Sequence, residues 1–501
     1  MFSLQAALEG SRVYQPLVKL SQCSGETLAN WWKQATPGKL FYSVFEPITR
    51  WAATLPFANT LCNRWILLLG ILLLFVLASF MSTNVIGLLL WALFFFTLLC
   101  SILMAKRPQE ESRFKPYTTI DLAVGLFFVS ILISTAFSSY LSTSIVGLMK
   151  MLTFLTGYLT FRRFFESSSP LILISLWCLL GLGVFESLVG YLQSQGELQP
   201  LATWQDPDTN PELKMTRVFG TLIPYNPNLL AGFLIPCFAS ALGLSGYYLS
   251  KGWRWAFVTG ITLFSSALIL YGLVMTGSRG SYLAIGIMGL SIFLLSGHLI
   301  FHDAALKAKT LLKWLWVGLL VAIVAGGALG ISRSPKILNR LTSIFAMRDD
   351  SSISYRLNVY KSSWEIVQDN WLIGIGPGND TFKQVYGLYM VPGYNALGAY
   401  SVPLEIAVEQ GIVGIAALLL LLMLIKFRIA FLLESPHIKL QDKILGCLYF
   451  IGIFGSLAYG VFDTIWYRPA VNLLFWYYVA GASVLTERAL GSHRSHGSET
   501  E

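Results

Sequence analysis

Apolar stretches about twenty residues long alternate with short polar links along most of the chain. Twelve can be marked, at 65–81, 84–104, 121–138, 143–161, 171–193, 228–249, 255–275, 281–300, 311–332, 403–425, 444–463 and 470–486. Each is close to the length a helix needs to cross a hydrocarbon layer of about 30 Å. Helices are expected because lipid offers backbone N–H and C=O groups no partner. A transmembrane barrel would instead show alternating segments of about ten residues, and none is visible. The pattern predicts an all-α polytopic membrane protein with about twelve transmembrane helices. An N-terminal cytoplasmic or interfacial segment (1–63) leads into helices 1–9 (64–332). A large, partly helical outer loop (333–402), helices 10–12 (403–486) and a disordered cytoplasmic tail (487–501) follow.

Composition agrees: of 501 residues, 55% are hydrophobic and 12% charged, where a soluble chain carries roughly a quarter charged. The net charge of +9 reads as the basic residues that orient membrane proteins, not as a nucleic-acid surface. The cysteines (Cys23, Cys62, Cys100, Cys178, Cys237 and Cys447) are scattered without metal or redox spacing. The first 25 residues lack the apolar core of a cleavable signal peptide. Trp31, Trp32 and Trp51 suit the headgroup level of an interfacial segment.

Charge geography supplies an orientation. Lys106, Arg107, Arg113 and Lys115 lie between spans 2 and 3, Arg162 and Arg163 between 4 and 5, and Lys251 and Arg254 between 6 and 7. Lys307 and Lys309 follow span 8, and Lys426, Arg428, Lys439 and Lys443 link spans 10 and 11. Links 1–2 and 3–4 hold none. Even-numbered links and both termini are therefore expected in the cytoplasm, in an inner (plasma) membrane. Arg217, Arg279 and Arg468 then fall on the outer face. For the short 7–8 link, "MTGSRGS", an outward arginine needs its own reason.

One reason is snorkelling to lipid phosphates. The other is an anion site: "MTRVFGTLIPYNPNLLAG" (215–232) brings Arg217 and Asn228 to the same face, where two arginines can clamp a diphosphate. Backbone N–H groups of Gly280 and Ser281 would point at the same anion. The outer loop contains an expected amphipathic surface helix, with Ile353, Leu357, Tyr360, Trp364 and Val367 on its apolar face and Arg356 on its flank. "GIGPGN" (374–379) lacks the Lys-Ser/Thr ending of a phosphate-binding loop and reads as a sharp turn. Glu405 and Glu409, one turn apart at the start of span 10, read either as catalytic carboxylates or as ion-pair partners of an arginine. Lys150 and Glu186 lie within spans and suggest an internal pair or a substrate contact. Asp463 and Arg468 bracket the last outer turn. His298, His302, His437, His493 and His496 all fall on the inner side, so no histidine is expected to serve as base outside. No metal ligand set and no cofactor are expected.

"TRVFGTLIPYNPNLLAG", "TGSRGSYLAIG", "DNWLIGIGPGNDTF" and "SVPLEIAVEQGIVGI" resemble the signature stretches of the O-antigen ligase and polymerase superfamily. From about 64 to 486, including "MRDDSSISYRLNVY", "YSVPLE" and "FDTIWYRPA", the chain more closely resembles the cyanobacterial inorganic-carbon-transport-B family, labelled as bicarbonate transporters. The superfamily resemblance implies a helical membrane fold with a large outer loop between spans 9 and 10. It also implies two arginines, Arg217 and Arg279 here, that hold an undecaprenyl-diphosphate-linked glycan. Ligases place a histidine base before span 10; Tyr400 stands there in this chain, and a phenol with a pKa of about 10 is a poor base.

Two functions follow as expectations. One is metal-independent glycosyl transfer from a lipid-linked diphosphate donor, with Arg217, Arg279, Asn228, Arg356, Tyr400 and Arg468 binding substrate and Glu405 or Glu409 taking the acceptor proton. The other is bicarbonate transport with the same arginines at the mouth. Membrane lipids are the expected partners of either.

Overall fold

The computed structural model describes residues 14–52, 64–104, 117–166, 169–196, 217–303, 351–463 and 467–497, with scattered positions between 310 and 335. Helix makes up 83% of the structure, and no strand occurs among the described residues. Three N-terminal helices come first, α1 (Tyr14–Ser21), α2 (Gly25–Gln34) and α3 (Thr36–Ala52). The bundle follows with α4 (Arg64–Phe80), α5 (Thr83–Met104), α6 (Thr119–Ala136), α7 (Leu141–Phe165), α8 (Ser169–Gln195), α9 (Pro227–Ser250), α10 (Ala256–Met275) and α11 (Arg279–His302). Two helices, α12 (Ser351–Asp369) and α13 (Asn379–Tyr386), belong to the loop 333–402 expected on the outer side, and α14 (Val402–Glu434), α15 (Leu440–Gly460) and α16 (Pro469–Gly497) complete the bundle.

Among the described residues, ten helices are long and apolar enough to cross a membrane, α5–α11 and α14–α16, and α4 is a shorter apolar helix of 17 residues. The protein is a multi-pass membrane protein. The expected ninth span (311–332) falls largely outside the described residues, which hold ten of the expected spans and the shorter α4. The centre of the bundle is built from α9 and α16, whose apolar windows are 89% and 94% buried, whereas that of α11 is only 22% buried and faces outward. Local signals start the helices where the chain needs them. Thr118 and Asp121 form a capping box at α6. At α9, Asn226 accepts the Asn228 N–H (2.8 Å) ahead of Pro227.

Three boundaries differ from expectation. Helix α14 continues to Glu434 and α15 starts at Leu440, so Arg428 and Lys443 lie on helices, not in the link. Helix α16 runs to Gly497, and the stretch expected as a disordered tail from 487 is helical that far. The reason is pairing: Glu487 meets Arg428 (2.8 Å) and accepts the Gly25 N–H (2.8 Å), so the end of α16 is tied to α14 and α2. At the same end of the bundle Arg162 pairs with Asp121 (3.0 Å) and Glu166 (2.5 Å), and Lys443 with Asp303 (2.7 Å).

Helix α14 is not continuous. Gly411 has φ 63° and ψ −157°, which splits it into two half-helices. A break inside a span strands the carbonyls of one half and the N–H groups of the other. The outer loop satisfies both. Ile375 and Gly376 donate to the carbonyls of Val408 (2.9 Å) and Glu409 (3.1 Å), while the carbonyls of Trp371 and Leu372 accept from Ile412 (2.8 Å) and Val413 (3.4 Å). The expected turn at "GIGPGN" is present, with positive φ at Gly374, Gly376 and Gly378. Its partner is this break.

The apolar stripe of α12 also differs. Val359 and Ile366 are buried against Phe382, Val385 and Tyr386, whereas Leu357 and Trp364 point outward. The helix has apolar side chains on two sides, and the loop's own small core takes the one that the seven-residue spacing of Leu357 and Trp364 obscures.

Candidate functional site

The segment 217–226 is shaped from below by α8. Glu186, fully buried, accepts from the Thr221 N–H (2.8 Å) and hydroxyl (2.5 Å). Gln193 takes the N–H groups of Phe219 and Gly220 (both 3.0 Å) and donates to the Gly220 carbonyl (3.0 Å). This clamp delivers Arg217 to the link between α10 and α11. Its Nε donates to the Thr276 carbonyl (2.9 Å) and its Nη2 to Asn228 Oδ1 (2.6 Å). Two of the five guanidinium N–H groups are used in these bonds, which fix its plane and leave the fork geometry for a ligand. Burial pulls this guanidinium down to about 10, still charged at neutral pH.

The link itself explains its glycines. Gly277 has φ 59°, and a Cβ there would lie 3.1 Å from Arg217 Cγ, so the arginine stem runs directly over it. A Cβ on Gly280 would lie 3.2 Å from the Tyr459 ring. Tyr459, near the end of α15, donates to the Asn228 carbonyl (2.6 Å) and lies 3.5 Å from the Ser278 hydroxyl. Arg279 opens α11, three residues from the carbonyl that holds Arg217. The expectation that both Gly280 and Ser281 would offer N–H groups to an anion is corrected at Ser281, whose N–H bonds the Ser278 carbonyl (3.0 Å) in a tight first turn.

Helix α12 adds Arg356, whose Nη2 lies 3.5 Å from Asp463 Oδ2 in the turn after α15. The charges of both act on Arg217. Tyr400 joins them: its ring packs edge-on to Tyr355 (centroids 5.8 Å), its carbonyl accepts from Tyr360 (3.0 Å), and its backbone has φ 51°. Positive φ in a bulky non-glycine residue is sterically costly and needs support from its surroundings. Burial, then the Tyr355 and Asp463 neighbours, push the Tyr400 phenol well above its ordinary value, which makes it a proton donor, not a base.

Five of the residues singled out in the sequence (Arg217, Asn228, Arg279, Arg356 and Tyr400) thus gather at one end of the bundle, together with Asp463. The others do not. Arg468 is exposed at the start of α16, where its carbonyl accepts from Val471 (3.0 Å) and Asn472 (2.9 Å). Glu409 is buried, and its carboxylate accepts from Tyr467 (2.8 and 2.7 Å) and from the Gly378 N–H (3.1 Å). Its backbone carbonyl also accepts from Ser134. Glu405 is buried alongside, with its charge acting on Tyr467. The engaged oxygens of Glu409 fit a structural carboxylate. The internal lysine acts electrostatically on Glu409, not on Glu186. Residues the sequence did not flag are Gln193, Tyr459 and Tyr467. The spacing of Tyr459 and Asp463 at the end of an apolar run was the available signal.

Comparison with known proteins bears on this end of the bundle. Residues 264–419, which include Arg279, Arg356, Tyr400, Glu405 and Glu409, match the family model described as O-antigen ligase. A stretch of 170 residues is 28% identical to an O-antigen ligase of Salmonella typhimurium, covering 32% of this chain and 38% of that relative. The chain therefore aligns with less than two fifths of that relative's length. Together the two similarities support a relationship of this multi-pass membrane protein to the O-antigen ligase superfamily.

Proposed function

We propose that this protein transfers a glycan from a lipid-linked diphosphate donor to an acceptor hydroxyl at the extracytoplasmic face of the membrane. The observation that carries the reading is the held guanidinium of Arg217, fixed by Thr276 and Asn228 three residues from Arg279. In this reading both arginines grip the diphosphate, and they stabilise the negative charge that develops as it leaves. The acceptor oxygen bonds to the anomeric carbon while the bond from that carbon to the diphosphate oxygen breaks, its electron pair departing with the diphosphate. Asp463, the carboxylate beside Arg356, takes the acceptor proton in place of Glu405 or Glu409. Tyr400 holds the acceptor by hydrogen bonding. No metal enters these steps. An undecaprenyl-linked glycan is the donor class the superfamily resemblance suggests.

The sidedness belongs to the same proposal. Among the described residues, Arg162, Arg163, Lys251, Arg254, Lys439 and Lys443 lie at the opposite end from the Arg217 cluster. By the excess of basic residues on the cytoplasmic side, this supports a cluster outside and both termini in the cytoplasm of an inner membrane. Bicarbonate carriage, the label of the inorganic-carbon family, calls for a site near the midplane reached alternately from both sides. The gathered arginines at one end favour the transfer reading.

The test uses purified protein in liposomes with a lipid-diphosphate sugar and a labelled acceptor. Transfer is expected with the wild type and at least 100-fold loss with Arg217→Ala or Arg279→Ala. Accumulation of labelled bicarbonate without transfer would overturn the proposal.

A further inference from the structure

We infer that the outer loop is re-entrant: residues 371–378 dip into the edge of the bilayer, and Leu357, Trp364, Trp371 and Leu372 rest against phospholipid. The inference is independent of the transfer chemistry and starts from depth. Helix α6 has 18 residues, about 27 Å at 1.5 Å per residue, so its ends sit near the two boundaries of a hydrocarbon layer of about 30 Å. Ser134, in its last turn, bonds the Glu409 carbonyl, and Ser138, just past its end, donates to the Ile375 carbonyl (2.6 Å). Glu409, Gly411 and Ile375 therefore lie at that boundary. The next residues go further in. The Pro377 carbonyl packs against Gly147, where no Cβ fits, and Gly147 is six residues into α7, about 9 Å along its axis.

Irregular backbone at this depth is tolerated only where protein satisfies it. The four bonds to the halves of α14 do so, leaving the side chains of the loop to meet whatever lies outside. Those side chains are apolar. Trp371 is 60% and Leu372 49% exposed, and both are bonded through their carbonyls to residues of the outward-facing surface of α14, where Ile412 is 49% exposed. Leu357 and Trp364 are seven residues apart on one exposed side of α12, and exposed Trp371 and Leu372 follow just past its end at Asp369. A stripe with tryptophans at the boundary and leucine below matches the headgroup-to-acyl transition. Continuity with the lipid-facing surface of α14 identifies the occupant as the bilayer.

The experiment places single cysteines at Leu372, Trp364, Ile412 and Leu388 and labels them with an environment-sensitive fluorophore. The labelled proteins are reconstituted in phosphatidylcholine–phosphatidylglycerol vesicles, and the signal of labelled parent protein is subtracted. Quenching by lipid carrying a spin label near the glycerol end is compared with quenching by aqueous iodide. Labels at 372, 364 and 412 are expected to be quenched by the lipid at least threefold more than a label at Leu388, which is 75% exposed within the outer loop. Iodide should give the reverse order. Iodide reaching 372 and 364 as readily as 388 would overturn the inference. So would protection from both quenchers, which would mean that a second copy of the chain covers the stripe. Trp364 sits on a regular helix and gives the reading even if Leu372→Cys disturbs the tip.

Discussion

Gly277 illustrates how one residue serves the arginine cluster without touching a substrate. It supplies a left-handed turn and the open space beneath the Arg217 stem. Gly277→Ala puts a side chain into a conformation disfavoured by about 1–2 kcal/mol and pushes a methyl group against that stem. Titration with a lipid diphosphate should show at least tenfold weaker binding, while thermal unfolding in detergent moves by only a few degrees. The pH dependence follows from the environments of Tyr400 and Arg217. Burial raises the Tyr400 phenol and lowers Arg217 to about 10, so below that value the phenol keeps its proton and the guanidinium its charge. Transfer rates measured from pH 7 to 9 should therefore show no fall attributable to either group. At this scale the sequence pointed to Arg279 because an arginine in a short outward link breaks the charge-orientation rule, and to Arg217 and Asn228 because one stretch, 215–232, carries both; the fold does bring Arg217 and Asn228 into contact. The sequence left Glu405 and Glu409 open between a catalytic and an ion-pair role. Carboxylates at the outer end of a span look catalytic in one dimension, and only the fold reveals that Tyr467 and Gly378 occupy Glu409.

Helix α14 shows the limits of pattern reading for elements. Its run of apolar residues after Gly411 reads as an ordinary span, and one glycine in such a run carries no mark of a break. "GIGPGN" was recognisable as a turn for the opposite reason, since three glycines around a proline suit little else. What the pattern could not supply was the contact between the two, which joins residues 33 to 41 positions apart. Gly411→Ala should be strongly destabilising, because a β-carbon at φ 63° would collide with the backbone of Leu372 and Ile373. A lower melting temperature and faster proteolysis between 371 and 378 are the expected outcomes. Gly289→Ala is the matched control. No atom lies within 4 Å of a Cβ there, so in mid-helix it should be neutral or stabilise by about 0.5–1 kcal/mol.

Across the whole molecule, counting basic residues along the sequence separated the two ends of the bundle but missed how they are used. Arg162, Arg428 and Lys443 are not loose charges at a membrane surface; each has a carboxylate partner, and Arg428 also donates to the Cys23 carbonyl (2.8 Å). Those partners were invisible because Asp121, Asp303 and Glu487 reach them from other helices. Removing one member of a buried pair leaves the other uncompensated, an effect of about 3–5 kcal/mol. Glu487→Ala should accordingly lower the melting temperature, with Arg428→Met in the same chain recovering part of the loss. Sidedness has its own check. In intact cells a membrane-impermeant thiol reagent should modify Leu388→Cys but not Trp253→Cys, which is 90% exposed at the other end.

The seam between residues 371–376 and the halves of α14 has a practical corollary. Cutting the extramembrane portion free as a separate fragment would remove the acceptors of Ile375 and Gly376 and, on the other side, uncap two helix ends at the lipid boundary. Neither piece would keep the arrangement it has in the intact chain. Binding partners of the exterior are therefore best sought with the entire protein held in a bilayer.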